Sequence, residues 1–139
     1  FTPAFGSGYS YASTITYSQQ AGFYTKIGNQ VFCQVYLRPN GNSAHSGNVI
    51  EDGNSLYVSG LPFTSNSTNY SEGGGFITYQ SGFFDTSGTA NANLHAMPWV
   101  SRNGTTVYFH SPEDGNNVRG NETNPTNNYL VFQVHYTVW

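Results

Sequence analysis

Charged side chains are scarce in this sequence. Lys and Arg together number four and Asp and Glu seven, so that 8% of the residues are charged, against roughly 25% in an ordinary soluble domain. Four cationic side chains are too few to neutralise a phosphate backbone, so we expect no nucleic-acid partner. No apolar run approaches the length of a membrane span either, and we expect no membrane insertion.

Cysteine and the strong helix-forming residues are also in short supply. The one cysteine, Cys33, excludes an internal disulfide. Ala, Leu, Glu, Lys and Arg are few, whereas aromatic residues make up 17% of the chain and Gly, Asn, Ser and Thr are abundant. Short aromatic-rich strands joined by Gly, Asn and Ser turns have this composition, which predicts an all-β fold. The length of 139 residues fits one domain with a single core.

The first clear strand signal lies at residues 31–37. Val31, Cys33, Val35 and Leu37 alternate with Phe32, Gln34 and Tyr36, and period two indicates a strand with one buried face. This pattern predicts Cys33 to be a small buried apolar residue. Residues 23, 25 and 27 alternate as well, and Gly28-Asn29 between the two runs predicts a two-residue hairpin turn.

The strongest alternation closes the chain at residues 129–139. One face is formed by Leu130, Phe132, Val134, Tyr136 and Val138. A strand of this length is normally central in its sheet or paired along its length.

Shorter strands are predicted at residues 13–17, 56–58, 76–79, 91–97 and 105–110. Polar loops of uneven length separate them, at residues 38–47, 64–75 and 111–128. About eight strands with such loops predict a jelly-roll-like antiparallel β-sandwich rather than an up-and-down barrel. We expect a leading segment at residues 1–12 and a single β-sandwich domain at residues 13–139.

No catalytic or metal-binding pattern stands out. The adjacent carboxylates Glu51-Asp52 and Glu113-Asp114 sit at predicted turns and do not by themselves face each other across a cleft, as glycosidase catalysis requires. Oxygen ligands cluster at residues 114–117 without the spacing of a calcium loop. The histidines, at positions 45, 95, 110 and 135, show no paired spacing. The sequence therefore predicts no enzyme, no metal site and no cofactor.

Two motifs resemble a known family. Tyr-Thr-Lys-Ile-Gly-Asn at residues 24–29 and Val-Ser-Gly-Leu-Pro-Phe at residues 58–63 look like a β-rich domain of bacteriophage virion proteins. Such domains occur at the distal ends of tail fibres and in other exposed appendages, especially in phages of aquatic bacteria and cyanobacteria. The resemblance spans most of the chain. It implies a homotrimer with one sandwich face buried between subunits, contacts with other virion proteins, and a position on the virion surface.

The expected function is therefore that of a non-enzymatic phage virion structural protein. It would be an exposed appendage domain, such as a receptor-binding tail-fibre tip, that engages the host surface. The alternative is a capsid decoration, cement or head-fibre protein that stabilises the shell. A third class, a carbohydrate-degrading enzyme, would depend on Glu51 or Glu113.

Aromatic and amide side chains in the polar loops suit a host-surface glycan as partner. Sugar C–H faces stack on aromatic rings, and sugar hydroxyls meet amide donors and acceptors. The residues predicted to contribute to such a receptor site are Tyr70, Arg119 and His45.

Overall fold

The computed structural model of the chain describes residues 1–6, 14–42, 54–68, 73–84, 96–112, 115–120 and 123–139. Its strands are β1 (Ala4–Gly6), β2 (Ile15–Ile27), β3 (Gln30–Asn42), β4 (Tyr57–Ser59), β5 (Gly73–Gln80), β6 (Met97–Val100), β7 (Val107–His110) and β8 (Leu130–Thr137). These ranges contain no α-helix, which confirms the all-β prediction.

All eight strands belong to one antiparallel sheet, in the order β1-β4-β7-β6-β5-β8-β3-β2. The two edge strands approach each other: the Phe1 nitrogen donates to the Gly22 carbonyl at 3.0 Å, and the Gly22 nitrogen donates back at 3.0 Å. This reciprocal pair nearly closes the sheet into a barrel. The jelly-roll sandwich of two sheets is not confirmed, because hydrogen bonds connect the described strands into a single sheet.

The first six residues are part of this barrel, although the sequence assigned them to a leading segment. Phe5 in β1 is 1% exposed, and its ring stacks on that of Phe83 at 5.3 Å. Its backbone nitrogen donates to the Tyr17 hydroxyl at 2.8 Å. A strand of three residues is too short to show a period of two, so the sequence pattern could not reveal it.

The hairpin of β2 and β3 turns at Gly28-Asn29, as predicted. Ile27 pairs with Gln30 across the turn, and Gly28 has the positive φ of 59° that a type II′ turn needs at its first central residue. The predicted inner face of β3 is buried as well: Val31, Cys33, Val35 and Leu37 are each at most 3% exposed. Cys33 is thus confirmed as a buried residue of the core.

Strand β3 continues to Asn42, so the prediction of a loop from residue 38 is wrong for residues 38–42. Pro39 pairs with Tyr17 at a point where the register of β2 and β3 shifts on both sides of Tyr17. Such an irregularity tolerates a residue that cannot donate a backbone hydrogen bond. Residues 43–47 of the predicted loop lie outside the described ranges.

Strand β8 lies between β3 and β5 and pairs with both along its length, as predicted. Its alternating inner residues are buried in the core: Leu130, Phe132, Val134, Tyr136 and Val138. The Phe132 ring meets the Phe109 ring edge-on at 5.3 Å, and Phe109 in turn contacts Phe84 at 5.7 Å. An aromatic chain therefore links β8 to β7 through the barrel interior.

Strand β5 includes the three glycines that the sequence assigned to a loop. The backbone of β8 leaves no room for a side chain at Gly75, where an added Cβ would lie 2.8 Å from the Val134 Cα. A register shift between Ile77 and Tyr79 then turns Ile77 toward the core and leaves Tyr79 56% exposed. The bulge places these two residues on opposite faces, although the period of two in the predicted strand 76–79 would put both on one face.

The segment at residues 115–120 docks against the sheet, although residues 111–128 carry no strand signal in the sequence. Asn117 forms a β-bridge with His110 and Arg119 forms one with Ser55. Between them Val118 is fully buried. The segment thereby inserts between the end of β7 and the residues that precede β4.

Candidate functional site

Three aromatic side chains form a row on the outer surface of neighbouring strands. Tyr57 of β4 pairs with Tyr108 of β7, which pairs with Trp99 of β6. Their ring centroids are 5.6 Å and 5.4 Å apart. The three side chains point outward because their chain neighbours, such as Val58 and Val107, are buried and successive side chains alternate between faces. We call Tyr57, Tyr108 and Trp99 the aromatic row.

The rings of the aromatic row are held in place. The Trp99 indole nitrogen donates to Asn117 Oδ1 at 3.1 Å, and the Trp99 and Tyr108 rings are nearly parallel, with an interplanar angle of 26°. Tyr57 lies over Gly6 of β1, where an added Cβ would lie 2.7 Å from the Tyr57 hydroxyl oxygen. Neighbouring residues therefore fix both ends of the row.

The aromatic row lines a groove of about 540 Å³. The other residues that line it are Asn54, Ser55, Ser101 and Asn117. Beyond Trp99 lies a second recess of about 370 Å³, which Gly74, Met97 and His110 help to line. Gly74 pairs with Trp99, and Trp99 is the residue that lines both spaces. No charged residue lines the groove within the part of the chain that the structure describes.

Of the predicted receptor-site residues, Arg119 lies next to Ser55, one of the residues that line the groove, and is not itself a lining residue. It is exposed and forms an antiparallel bridge with Ser55, so that its side chain shares the outer face with the aromatic row. Tyr70 and His45 lie outside the described residues, as do the carboxylate pairs at 51–52 and 113–114. The sequence prediction thus placed one residue beside the groove and left out the row itself.

The members of the row were missed for different reasons. Tyr108 alternates with two buried residues in a predicted strand, and an aromatic residue on the polar face is a signal that could have been used. Trp99 lies in a strand of four residues that contains Pro98, and proline argues against a strand in a sequence pattern. Nothing in the sequence indicates that these strands are neighbours.

A second outer surface, which we call the apolar face, spans β2, β3, β8 and β5. Its exposed members are Phe23 (61%), Ile27 (67%), Phe32 (48%), Phe76 (59%) and Tyr79 (56%). Between them lie the polar side chains of Gln34, Gln133 and His135. Lys26 does not belong to this face, because it pairs with the inward Val31 and its ammonium group lies 5.8 Å from the Phe63 ring centroid.

Burial suppresses ionisation of the thiol and of two phenols inside the barrel. It raises the pKa of Cys33 from 9.0 to about 11 and the pKa of Tyr17 from 10.0 to about 12. Burial, with Cys33 beside the ring, also raises the pKa of Tyr136. The Cys33 thiol is therefore protonated at neutral pH and does not act as a thiolate nucleophile.

In the described ranges no three His, Cys, Asp or Glu side chains come close enough together to hold a metal ion. No helix in these ranges is long and apolar enough to cross a membrane. No protein-family model, curated protein or solved structure matches the chain. The resemblance to virion proteins therefore stays a prediction from two sequence motifs, which lie in the hairpin of β2 and β3 and in the segment that begins in β4.

Proposed function

We propose that this chain is a non-enzymatic structural domain of a bacteriophage virion. It lies on the particle surface in an appendage such as a tail-fibre tip, where it engages the host. The two sequence motifs support the assignment to a virion. The apolar face is the structural observation that carries the proposal, because an exposed aromatic surface of this kind serves assembly with other protein subunits.

The size of the apolar face supports such an interface. Four aromatic rings, each about half exposed, and Ile27 present roughly 500 Å² of apolar surface, since one aromatic side chain offers about 150–250 Å² in all. That area is near the upper limit of roughly 600 Å² for a patch on a monomer. With the intervening amides and His135 it approaches the roughly 800 Å² that each partner contributes to a stable interface.

The apolar face is also compatible with association between copies of the same chain. Its outward side chains at residues 23–27, 30–36, 74–79 and 131–137 include no Lys, Arg, Asp or Glu, so like charges do not oppose contact. A homotrimer, as the motif resemblance implies, would cover this face on every copy. The barrel then leaves the aromatic row free for the host surface, because the row lies on β4, β7 and β6.

Native mass spectrometry of the purified chain tests the assembly. We expect a species of three 15.2 kDa chains at micromolar concentration. Replacing Phe32 and Phe76 by Gln should dissociate it, whereas replacing the exposed Met97 by Gln, outside the apolar face, should leave it intact. A stable wild-type monomer would rule out the homotrimer.

The alternative function is that of a capsid decoration, cement or head-fibre protein, in which the apolar face has a different partner. In that case shell proteins, rather than further copies of the chain, cover the apolar face, and the isolated protein is a monomer. Cryo-electron microscopy of the virion that carries the chain distinguishes the two by locating the domain on the tail or the head. Absence of the chain from the particle would refute both.

A further inference from the structure

We infer that the aromatic row and its groove bind a neutral oligosaccharide. This inference rests on the proposed function in that the oligosaccharide would belong to the host surface, and it names the chemistry by which the domain engages it. The contact surface would be formed by Tyr57, Tyr108 and Trp99, with hydrogen bonds from the amides and hydroxyls around them.

The rings of the row form a continuous aromatic surface along the groove. The three aromatic side chains come from adjacent strands, with centroid separations of 5.6 Å and 5.4 Å. The Trp99 and Tyr108 rings stack on each other, so a sugar ring can pack its C–H face against the ring face or edges that this stacked pair leaves open to the groove. Tyr57, tilted by 52° from Tyr108, forms a side wall.

Polar groups stand where sugar hydroxyls would project. Asn54, Ser55, Ser101 and Asn117 line the groove together with the row. Asn117 accepts the indole hydrogen bond through Oδ1, and its amide nitrogen has no acceptor among the described residues. A mostly aromatic surface with a few placed donors and acceptors is the usual composition of a small-molecule site.

The site is formed before a ligand binds. Asn117 holds the Trp99 ring, and the Tyr57 ring rests on the bare backbone of Gly6. All three aromatic residues lie in paired strands, so little side-chain freedom remains to be lost on binding. Such preorganisation reduces the entropic cost of association.

The absence of charged side chains from the groove favours a neutral ligand over a nucleic acid. Single-stranded nucleic acids also stack on aromatic rings, but they need a positively charged channel along the phosphates. No charged side chain lines the described groove, and Arg119, which pairs with the lining residue Ser55, is a single cation. Hydroxyl-rich sugars without charge match this lining.

Tryptophan fluorescence reports directly on ligand binding at Trp99. The chain has two tryptophans, so a Trp139→Phe variant leaves Trp99 as the only indole. A panel of neutral hexasaccharides (cello-, laminari-, malto-, xylo-, manno- and chito-hexaose) and an array of bacterial surface glycans are titrated into this variant, with oligo(dT) as a nucleic-acid probe. We expect at least one neutral glycan to shift the Trp99 emission, and no response to oligo(dT).

Variants test whether the aromatic row is the site. Tyr108→Ala should weaken binding about tenfold or more, as truncation of a central aromatic contact usually does. Tyr24→Ala makes the same change at a tyrosine that is 50% exposed and belongs to neither the groove nor the apolar face, and it should leave the affinity unchanged. Gly74→Phe adds a ring beside Trp99 where an added Cβ meets nothing nearer than 4.0 Å. This variant should block the site without disturbing the fold. It therefore still tests whether the aromatic row binds the glycan if the Tyr108→Ala variant does not fold.

The outcomes separate this inference from the virion proposal. Lack of response to every glycan, affinities equal in wild type and Gly74→Phe, or a preference for oligo(dT) would each overturn the oligosaccharide site. If no glycan binds but the chain trimerises and lies on the particle, only this inference fails. If a glycan binds at Trp99 but the chain is absent from the virion, the sugar site stands and the virion assignment fails.

Discussion

Replacing Gly75 by alanine, alongside the same replacement at Gly74, tests how closely β5 lies against β8. A Cβ on Gly75 would lie 2.7 Å from the carbonyl carbon of Gln133 and 2.8 Å from the Val134 Cα, and closer still to the Gln133 oxygen, whereas one on Gly74 meets nothing nearer than 4.0 Å. The two sites are adjacent in one strand and share their local sequence, but side chains there would point to opposite faces of the sheet, since Gly74 pairs with the outward His135 and Gly75 with the inward Val134.

The two replacements should change the free energy of unfolding in opposite directions. Overpacking a protein interior costs about 1–3 kcal/mol, and the upper end applies at Gly75 because the obstructing atoms are backbone, which no rotamer change can move. Alanine at Gly74 should instead stabilise the fold by roughly 0.5 kcal/mol, through the reduced freedom of the unfolded chain. We therefore expect the two variants to differ by about 3.5 kcal/mol in the free energy of unfolding, or roughly 12 °C in Tm.

Urea denaturation followed by tryptophan fluorescence measures this difference. The midpoint of Gly75→Ala should fall well below that of the wild type with little change in slope, since the same surface is exposed on unfolding. Equal midpoints for the two variants would refute the close approach of β5 to β8. A loss at Gly74 as large as that at Gly75 would show instead that any side chain weakens this strand.

Three further predictions concern the core, the thiol and the turn. Phe132→Ala should lower the free energy of unfolding by about 3–5 kcal/mol, and a loss below 1 kcal/mol in urea would contradict its buried position. Since burial raises the pKa of Cys33 from 9.0 to about 11, its contribution to stability is complete below pH 9 and is lost as the pH rises to 11. Cys33→Val should therefore flatten the decline in stability between pH 9 and 10, and identical pH profiles would exclude the thiol as the cause. Gly28→Ala should cost about 1 kcal/mol, because Gly28 has φ of 59° and alanine tolerates that conformation poorly; an unchanged Tm would speak against the positive φ.

The sequence by itself determined the features that depend on neighbouring residues. The inner faces of β3 and β8 follow from period-two alternation, which fixes the side of the strand on which Val35 or Phe132 lies. The turn at Gly28-Asn29 follows from the tolerance of glycine for positive φ. The all-β class follows from composition. Each of these is a property of a short stretch of chain, and the structure confirms each of them.

The sequence misplaced the features in which one backbone adjusts to another. The register shift at Pro39 keeps a proline inside a long strand, and the bulge near Tyr79 reverses the side on which that residue lies. The glycines of β5 were assigned to a loop because glycine is common in loops. Here they are required by the nearness of β8, and only the pairing of the two strands reveals this.

Tertiary structure alone decided the barrel and the candidate site. Two hydrogen bonds between Phe1 and Gly22 join opposite edges of the sheet and nearly close the barrel, and no local pattern records which edges meet. The aromatic row exists because β4, β7 and β6 are neighbours and because residues 115–120 insert beside them to bring Asn117 to Trp99. Local geometry dictates which way a side chain points, whereas the choice of neighbouring strand depends on the free energy of the whole core, which couples residues far apart in the chain.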